Sequence, residues 1–458
     1  MEVADSILEL IGNTPLVRMP RIADGVSCEV LAKLEMLNPG GSVKDRPAVA
    51  MIDAAEREGL LKPGGTIIEP TSGNTGVGLA LVAAQRDYRC IFVMTDKVSD
   101  EKVQLLRAYG AEVVVCPVAV DPEDPESYYS TAERLVAETS EAYRPNQYFN
   151  QVNPLSHELT TGPELWKQTG GRITHFVAGA GTGGTLNGVG RFLKRQNPEV
   201  QIVAGDPEGS VFSGGSGRPY LVEGIGEDFW PETYDPDVVD RVIPISDQAS
   251  FDMARLVTRK EGLLIGGSGG TAVCAALEVA RDCGPDDVVV VLLPDAGRGY
   301  LSKVFNDDWM ASYGFLIGEH PCVKDVLDAK EGALPPLVYV RPDDPVSVAV
   351  TQMRDHGVSQ LPVAKGEMPL AAAEVMGAVH ELQLMELAFS GDLLGQPVES
   401  VMSRPLEQIG IGESVALAVT KLERSPALLV LDGGRPRAVM TSTDVLSFLS
   451  SGPSEPDS

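Results

Sequence analysis

The stretch Asn38-Pro-Gly-Gly-Ser-Val-Lys-Asp-Arg-Pro47 places a single lysine, Lys44, between a flexible Pro-Gly-Gly loop and a predicted helix over Ala48–Glu58. A lysine at a loop-to-helix junction lies near the positive end of the helix dipole, which favours its neutral amine. The neutral amine is the form that a Schiff-base lysine must supply. Because an ordinary charged helix start has the same local pattern, the stretches further along the chain decide between the two interpretations.

Composition excludes several classes of partner. The 458 residues suffice for two or three domains, and Lys+Arg 37 against Asp+Glu 65 gives a net charge of −28. Such a surface repels nucleic acid and anionic lipid, so we expect no nucleic-acid or membrane partner. The acidic N-terminus is unlike a signal peptide. Six scattered cysteines and five dispersed histidines favour a cytoplasmic protein with free thiols and no metal site.

Short β-branched runs alternate with helical patterns as far as about Trp309, which predicts an open α/β fold with parallel strands buried on both faces. Strands are expected at Thr66–Ile68, Arg89–Met94, Glu112–Val115, Thr174–Val177, Gln201–Ala204 and Val288–Leu293. Helices are expected at Asp100–Tyr109, Tyr128–Ser140, Thr185–Arg195 and Gly270–Arg281. In such folds a ligand binds beyond the carboxyl ends of the strands.

Three stretches rich in glycine and hydroxyl groups each precede a predicted helix. The stretch Glu69–Gly78 (Glu-Pro-Thr-Ser-Gly-Asn-Thr-Gly-Val-Gly) offers donors that suit a carboxylate, and it equally fits a capped turn. The stretch Phe176–Thr185 (Phe-Val-Ala-Gly-Ala-Gly-Thr-Gly-Gly-Thr) predicts an anion cradle, because glycine lets the backbone approach a ligand at a helix N-terminus. In Leu263–Thr271 the hydroxyl of Ser268 stands at a helix start, where an N-cap is the alternative.

The cradle also satisfies a dinucleotide fingerprint. Gly179–Gly184 reads Gly-x-Gly-x-x-Gly, and Asp206 follows about 22 residues later, so an NAD-dependent dehydrogenase is an alternative. That interpretation leaves Lys44 and residues 71–75 without a role. Asp206 also continues into the irregular segment Asp-Pro-Glu-Gly-Ser.

Together and in this order, these stretches resemble the fold-type II pyridoxal-phosphate enzymes, more narrowly the cysteine synthase/cystathionine β-synthase family. The motifs that carry the resemblance are Ile-Gly-Asn-Thr-Pro-Leu (11–16), Asn-Pro-Gly-Gly-Ser-Val-Lys-Asp-Arg (38–46), Thr-Ser-Gly-Asn-Thr-Gly (71–76), Gly-Thr-Gly-Gly-Thr (181–185) and Gly-Gly-Ser (266–268). Two similar halves, about 323–390 and 396–450, resemble a tandem CBS-domain (Bateman) module.

The resemblance implies a catalytic domain over residues 1–310, built of two open α/β subdomains. A linker over 311–322, the tandem CBS-domain pair over 323–450 and a disordered tail over 451–458 are expected to follow. Relatives assemble through the catalytic domain, so we expect a homodimer or homotetramer.

The resemblance further implies that pyridoxal 5′-phosphate serves a β-replacement that condenses L-serine with L-homocysteine to L-cystathionine and water, the first step of transsulfuration. The attached module and the motifs at 206–210 and 223–226 favour this reaction over O-acetylserine sulfhydrylase (cysteine synthase) activity, which stays the alternative. A nucleotide-sensing scaffold with a degenerate first domain is a third interpretation, and the intact Lys44 argues against it.

Each motif residue receives a role from the resemblance. Lys44 forms the Schiff base and shuttles protons. The cofactor is expected to be bound further by Asn74 at the ring oxygen, by Ser268 at the pyridine nitrogen, and at the phosphate by Gly181, Thr182, Gly183, Gly184 and Thr185. The substrate is expected to be bound by Thr71, Ser72, Thr75, Gln147 and Gly224. A hydroxyl at position 268 leaves the ring largely unprotonated, which favours β-elimination over transamination.

The sequence departs from the animal enzymes of the family in two ways. Its motifs begin within a dozen residues of the start, and we therefore expect no haem. Glu227 follows Glu-Gly-Ile-Gly where some members have an aromatic residue, which bears on the binding of the second substrate.

In the C-terminal module, Thr441 and Asp444 match the family's nucleotide-ribose motif, while an N-cap followed by a first-turn acid is the alternative. His380 and Gln383 occupy the matching places in the first repeat. We therefore expect one effector site, for S-adenosylmethionine.

Overall fold

The computed structural model describes residues 3–71, 73–95, 98, 100–117, 124–318, 321–330, 337–387 and 393–451. It divides into two compact units, Met1–Leu301 and Ser302–Ser458. The predicted domain end at residue 310 and the linker over 311–322 stay predictions. The predicted tail lies outside the described residues from residue 452 onward.

The first unit alternates strands with helices. Its strands, in chain order, are β1 (Leu16–Arg18), β2 (Glu29–Leu34), β3 (Thr66–Pro70), β4 (Arg89–Thr95), β5 (Glu112–Cys116), β6 (Ala142–Tyr143), β7 (His175–Gly179), β8 (Gln201–Pro207), β9 (Arg241–Ile245) and β10 (Val288–Leu293). Its helices are α1 (Asp45–Arg57), α2 (Asn74–Arg86), α3 (Asp100–Ala108), α4 (Tyr128–Glu138), α5 (Val152–Leu159), α6 (Thr161–Gln168), α7 (Gly184–Gln196), α8 (Asp247–Glu261) and α9 (Gly267–Asp282).

The described strands of this unit form sheets with the orders β1-β2-β10-β7-β8-β9 and β5-β4-β3-β6. Pairing in them is parallel apart from the antiparallel pair of β1 with β2. Strands β3 and β10 are buried along their whole length, because helices cover both faces of a parallel sheet. The predicted α/β fold class with two open subdomains is confirmed.

Each sheet has its own apolar core. Phe176, Ile202 and Val290 belong to the core of the larger sheet, and Ile67 and Phe92 to that of the smaller one. Burying a side chain of this size contributes about 1.5–3 kcal/mol relative to leaving it exposed. These cores hold in place the strand ends from which the glycine-rich loops leave.

The sequence analysis does not predict strand β2, because a lysine interrupts its apolar run. Lys33 is fully buried, and its Nζ donates to the Thr14 carbonyl at 2.6 Å, to Glu164 at 2.8 Å and to Gln168 at 3.0 Å. A buried charge needs such partners, which lie far away in the sequence. Tertiary contacts therefore make this segment a central strand.

Helix α2 begins at Asn74, whereas the sequence suggests loop as far as Gly78. Gly78 serves close packing, since a Cβ there would lie 2.9 Å from the Ala48 Cβ and 3.0 Å from the Lys44 carbonyl oxygen. The glycine thus brings α2 against the start of α1.

The second unit contains the two predicted halves. Its elements are α10 (Asp307–Ser312), α11 (Val323–Asp328), α12 (Val346–His356), β11 (Gln360–Ala364), β12 (Val375–His380), α13 (Glu381–Leu387), β13 (Glu407–Gly410), α14 (Val415–Leu422), β14 (Ala427–Asp432), β15 (Arg435–Thr441) and α15 (Ser442–Ser451). The described strands form the sheets β11-β12 and β13-β14-β15. Each half runs through a helical turn or short helix, a strand, a helix, two strands and a final helix, except that a single bridge between Val340 and Val363 stands in place of the first strand of the first half.

Each half of this unit is covered by the leading turn of the other half. Helix α11 contributes Val323 and Val326 to the core around β14, in the second half. Val398 and Val401, which precede β13, pack in the core of the first half. A third cluster joins Ala378 of β12 to Leu429 of β14. This exchange makes the two halves one body.

Within the described part of the chain, no helix has both the length and the apolar character needed to cross a bilayer.

Candidate active site

A cavity of about 400 Å³ opens in the first unit. Thr71, Thr182 and Pro294, which line it, follow strands β3, β7 and β10 in the chain. This is where parallel sheets bind ligands, and the size suits a small molecule. A second cavity, of about 30 Å³, shares Val43 and Lys44 with the first among its lining residues.

Lys44 is the N-cap residue of α1, at the predicted loop-to-helix junction, and it lines both cavities. Burial lowers the pKa of Lys44, while the nearby carboxyl groups of Glu227 and Asp295 oppose the shift. The backbone N–H of Val43 donates to the Pro294 carbonyl at 2.8 Å, which ties the Lys44 loop to the end of β10. The amine therefore faces the cavity from a fixed backbone.

A buried ion cluster holds this loop from behind. The Arg46 guanidinium bonds Glu35 and Glu164, with Nε and Nη1 each 2.7 Å from a carboxylate oxygen. Asn38 at the start of the loop donates to Glu35 at 2.8 Å. Burial alone raises the pKa of Glu164, but hydrogen bonds from Arg46 outweigh it and bring the pKa to about 2. The sequence analysis did not predict this cluster. Charged residues within apolar segments were a signal that could have indicated buried ion pairs.

The predicted glycine cradle lies at the N-terminus of α7 and lines the smaller cavity. Gly183 has a φ of +83°, and a Cβ there would lie 2.6 Å from the Tyr234 Cα, so a side chain is excluded. The Thr182 hydroxyl accepts from Asn153 Nδ2 at 3.0 Å, and Thr185 Oγ1 lies 3.3 Å from His157 Nε2. Backbone N–H groups of a first helical turn, with room made by glycine, fit a phosphate.

Asn74 is the first residue of α2 and Ser268 is the second residue of α9, and both line the larger cavity. Asn74 Nδ2 donates to Asp295 at 2.7 Å, and the Tyr300 hydroxyl donates to the same carboxylate oxygen at 2.7 Å. Burial raises the pKa of Asp295, while these two hydrogen bonds lower it. Sequence reasoning missed Asp295 and Tyr300, although an acid two residues after the buried strand β10 was a signal.

The structure brings together the described residues of the predicted substrate loop. Thr71, Thr75, Gln147 and Gly224 line the larger cavity, and the Thr75 hydroxyl donates to Gln147 Oε1 at 2.6 Å. Ser72 lies outside the described residues. The loop offers hydroxyl and amide donors on one wall of the cavity.

Charged groups that the site prediction did not include line the cavity as well. Lys102 pairs with Glu223, and its Nζ lies 4.5 Å from the centroid of the Tyr300 ring. Glu227 lines the cavity too, and burial raises the pKa of its carboxyl to about 8.

Asp206, which the dinucleotide fingerprint requires, is fully buried in β8. Its Oδ2 accepts from the Ser213 backbone N–H at 2.9 Å, so it organises its own loop. Its position does not favour a nucleotide ribose. In the described part of the chain, no cluster of three or more His, Cys, Asp or Glu residues is arranged to hold a metal ion.

The predicted effector residues stand at the start of α15 in the second unit. Asp444 Oδ2 accepts from the backbone N–H of Thr441 at 2.7 Å and from its hydroxyl at 3.0 Å, and Oδ1 lies 2.9 Å from Lys330 Nζ. In the first half, His380 Nε2 lies 3.0 Å from Ser403 Oγ, and Gln383 donates to the Val401 carbonyl at 2.7 Å. The two halves are therefore not equivalent at these positions.

Comparison with known proteins adds to this geometry. Residues 7–295 match the model of the pyridoxal-phosphate dependent enzymes, and residues 323–382 match that of the CBS domain. The chain is 39% identical to cystathionine beta-synthase of Oryctolagus cuniculus, over 98% of this chain and 86% of that protein. The chain belongs to the cystathionine β-synthase family.

Two further relatives are similar to about two thirds of this chain. Cystathionine beta-synthase of Apis mellifera is 48% identical over 69% of this chain, and the match spans 64% of that protein's length. The crystal structure of an O-acetylserine dependent cystathionine beta-synthase from Helicobacter pylori has a TM-score of 0.63 and 37% identity, covering 66% of this chain and 99% of that chain. The predicted family and cofactor class are thus confirmed.

The residues of the site fit pyridoxal phosphate. A lysine amine with a lowered pKa lines the same cavity that adjoins the glycine cradle. The cradle matches a phosphate, the Asn74 amide is a donor that suits a ring oxygen, and the Ser268 hydroxyl suits an uncharged ring nitrogen.

Proposed function

We propose that the chain condenses L-serine with L-homocysteine to L-cystathionine and water. The observation that carries this proposal is the arrangement around Lys44, whose amine lines a cavity shared with the glycine cradle and with the Thr71–Thr75 loop. Family membership over nearly the whole chain supports the same reaction.

Four groups of side chains and backbone would hold the cofactor. Lys44 would bind it covalently, residues 181–185 would bind the phosphate, Asn74 the ring oxygen and Ser268 the pyridine nitrogen. When bound, pyridoxal phosphate supplies an electron sink that stabilises negative charge at the substrate Cα. Asp295 accepts one N–H of Asn74, so it would orient the amide with its other N–H toward the ring oxygen.

The Thr71–Thr75 loop, Gln147 and Gly224 would hold the serine carboxylate. The hydrogen bond between Thr75 and Gln147 fixes both side chains before the substrate arrives, which lowers the entropic cost of binding. On sequence grounds, Ser72 belongs to the same proposed set of carboxylate-binding residues. These residues would hold the serine with its Cα toward Lys44.

Lys44 would move the protons of the reaction. Its lowered pKa raises the neutral fraction, and the neutral amine takes the proton from Cα and delivers it to the departing hydroxyl, which leaves as water. The thiol of homocysteine then forms the new C–S bond at Cβ and gives its proton to Lys44. Lys44 returns a proton to Cα, which completes the replacement.

One alternative donor is favoured by a specific observation. The Helicobacter pylori relative is named as O-acetylserine dependent, and it covers 66% of this chain. Acetate leaves Cβ more readily than hydroxide. The same site would therefore also use O-acetylserine as the donor, with either homocysteine or sulfide as the nucleophile.

Three further statements belong to the proposal. The second unit would bind S-adenosylmethionine, with the Asp444 carboxylate accepting from its ribose hydroxyls. The chain would self-associate to a homodimer or homotetramer, and exposed apolar residues such as Phe149 and Leu159 support an interface. The cysteines, all free thiols, support a cytoplasmic location.

A product assay tests the reaction. Purified protein loaded with pyridoxal phosphate receives homocysteine with either L-serine or O-acetylserine, and then both donors with sulfide, and products are identified by mass spectrometry. The proposal expects cystathionine from serine at a rate well above the sulfide reaction. Cysteine from O-acetylserine and sulfide, with serine inert, would contradict it and favour the sulfhydrylase.

A further inference from the structure

Glu227 is an acidic residue inside the reaction cavity to which the proposed steps assign no task. It lines the same cavity as Lys44 and Thr75. Its backbone is anchored on both sides, since its N–H donates to Ser210 Oγ at 3.1 Å and its carbonyl accepts from the Val211 N–H at 3.0 Å. The carboxyl group is therefore held at the cavity wall by the fold of its own loop.

This loop lies against the phosphate cradle. The Gly226 N–H donates to the Ala180 carbonyl at 2.6 Å, and a Cβ at Gly181 would lie 2.9 Å from the Gly224 carbonyl oxygen. Gly226 itself has a φ of +76°, which a glycine adopts without strain. The segment that carries Glu227 is thus tied to the part of the site that would fix the cofactor.

The surroundings of Glu227 carry negative charge. Burial is the main reason that its pKa rises to about 8, and the neighbouring Asp228 and Asp206 raise it further. Lys44 and the Tyr148 hydroxyl act in the opposite direction. With a pKa of about 8, the Glu227 carboxyl is mostly protonated at neutral pH when no substrate cation lies beside it. An arriving cation would lower this pKa and ionise the carboxyl, which forms an ion pair.

The proposed reaction leaves one free cation among the reactants. The amino group of serine is used in its covalent link to the cofactor, so it is not available to Glu227. Homocysteine arrives with its α-ammonium group intact and reacts through its thiol. Hydrosulfide, the smaller competing nucleophile, carries no ammonium group.

We propose that Glu227 binds the α-ammonium group of the incoming thiol substrate and so selects an amino-acid thiol over hydrosulfide. This inference rests on the proposed function and names the residue that sets the class of its second substrate. Glu227 acts as a specificity-determining residue. The proton transfers at the reacting atoms remain the role of Lys44.

The test compares three nucleophiles on one protein: homocysteine, 4-sulfanylbutanoate, which is homocysteine without its amino group, and hydrosulfide. In the wild type we expect kcat/KM for homocysteine to exceed that for 4-sulfanylbutanoate by about tenfold to a hundredfold, the range of a charge-assisted hydrogen bond. Glu227→Gln should bring this ratio close to one, mainly through KM for homocysteine, and leave the hydrosulfide rate unchanged. Glu227→Asp should restore part of the ratio, because it keeps the carboxylate.

Glu232→Gln is the matched control, since this exposed residue follows in the same segment and does not line the cavity. It should keep the wild-type ratio. An unchanged ratio in Glu227→Gln, or an equal loss with all three nucleophiles, would overturn the inference.

A separate readout distinguishes this failure from failure of the proposed function. Serine alone should change the absorbance of the bound cofactor to the same extent in the wild type and in Glu227→Gln. If serine and O-acetylserine leave the wild-type spectrum unchanged, the proposed function fails and Glu227 loses its proposed task with it.

Discussion

Two helix starts stand out in this chain, and they are built in opposite ways. At α1, Lys44 directs its amine into a cavity while other residues, among them Arg46 and Asn38, hold the loop. At α15, the Asp444 carboxylate bonds its own helix start through Thr441 and also pairs with Lys330. A functional group supported by others is free to react, whereas one that serves its own backbone must change partners before it binds a ligand.

Removing the amine is the strongest test of the α1 half of this comparison. Lys44→Ala should lower cystathionine formation by at least about a thousandfold, because the proton transfers lose their base and acid together. Quantitative mass spectrometry of the product measures the loss. Lys62→Ala, which changes an exposed lysine, is the control and should retain wild-type activity. Full activity in Lys44→Ala would end the proposed mechanism.

Removing the ion cluster behind Lys44 should lower the stability of the fold strongly. Arg46→Ala leaves the buried Glu35 without its cation and leaves Glu164 with Lys33 alone, and we expect it to lower the free energy of unfolding by about 3–5 kcal/mol. Urea unfolding monitored by circular dichroism measures the change. Arg18→Ala, which removes an ion pair whose arginine is exposed, should cost less than about 1 kcal/mol. Equal effects of the two variants would contradict the supporting role.

The same support should weaken in acid. The pKa of Glu164 is lowered from 4.5 to about 2 in the folded state, so its contribution to stability is present above pH 4.5 and is lost as the pH falls toward 2. The stability difference between the wild type and Glu164→Gln should therefore shrink by about 3 kcal/mol across that range. Unfolding curves recorded for both proteins at several pH values test this. A difference that stays constant with pH would argue against ionised Glu164 as the supporting group.

Within the cavity, Asp295→Asn should weaken the hold on the cofactor. The carboxylate that accepts from Asn74 and Tyr300 is replaced by an amide, and we expect cofactor affinity to fall by about tenfold to a hundredfold. An absorbance titration of the cofactor-free protein with pyridoxal phosphate measures this. Asp252→Asn is the control, since this exposed carboxylate accepts from Gln248 instead, and the variant should bind the cofactor like the wild type.

The smallest change in stability is expected from a substitution at the start of α15. Asp444→Ala removes a helix-start acceptor and an ion pair, which should lower the melting temperature by only a few degrees, corresponding to about 1 kcal/mol. The same variant should lose the thermal shift that S-adenosylmethionine gives the wild type. A shift of wild-type size in Asp444→Ala would show that the effector assignment is wrong.

Local patterns predict the parts of the site that are themselves local. Lys44 and residues 181–185 could be found from the sequence, because a loop, a helix start and closely spaced glycines lie within one short segment. Asp295 and Glu227 could not be assigned to the site, because Asn74 and Lys44, the neighbours that place them there, lie on segments far away in the sequence. For the same reason β2 was missed, since the partners of Lys33 come from α6 and from Thr14.

The most direct measurement is to reduce the loaded protein with borohydride and map the modified peptide by mass spectrometry. Reduction fixes a Schiff base as a stable secondary amine, so the cofactor stays on the lysine that carried it. We predict the added pyridoxyl phosphate mass on the peptide that contains Lys44 and on no other. The same mass on a peptide containing Lys33 or Lys102, or an unmodified protein, would contradict the placement of the reaction around Lys44.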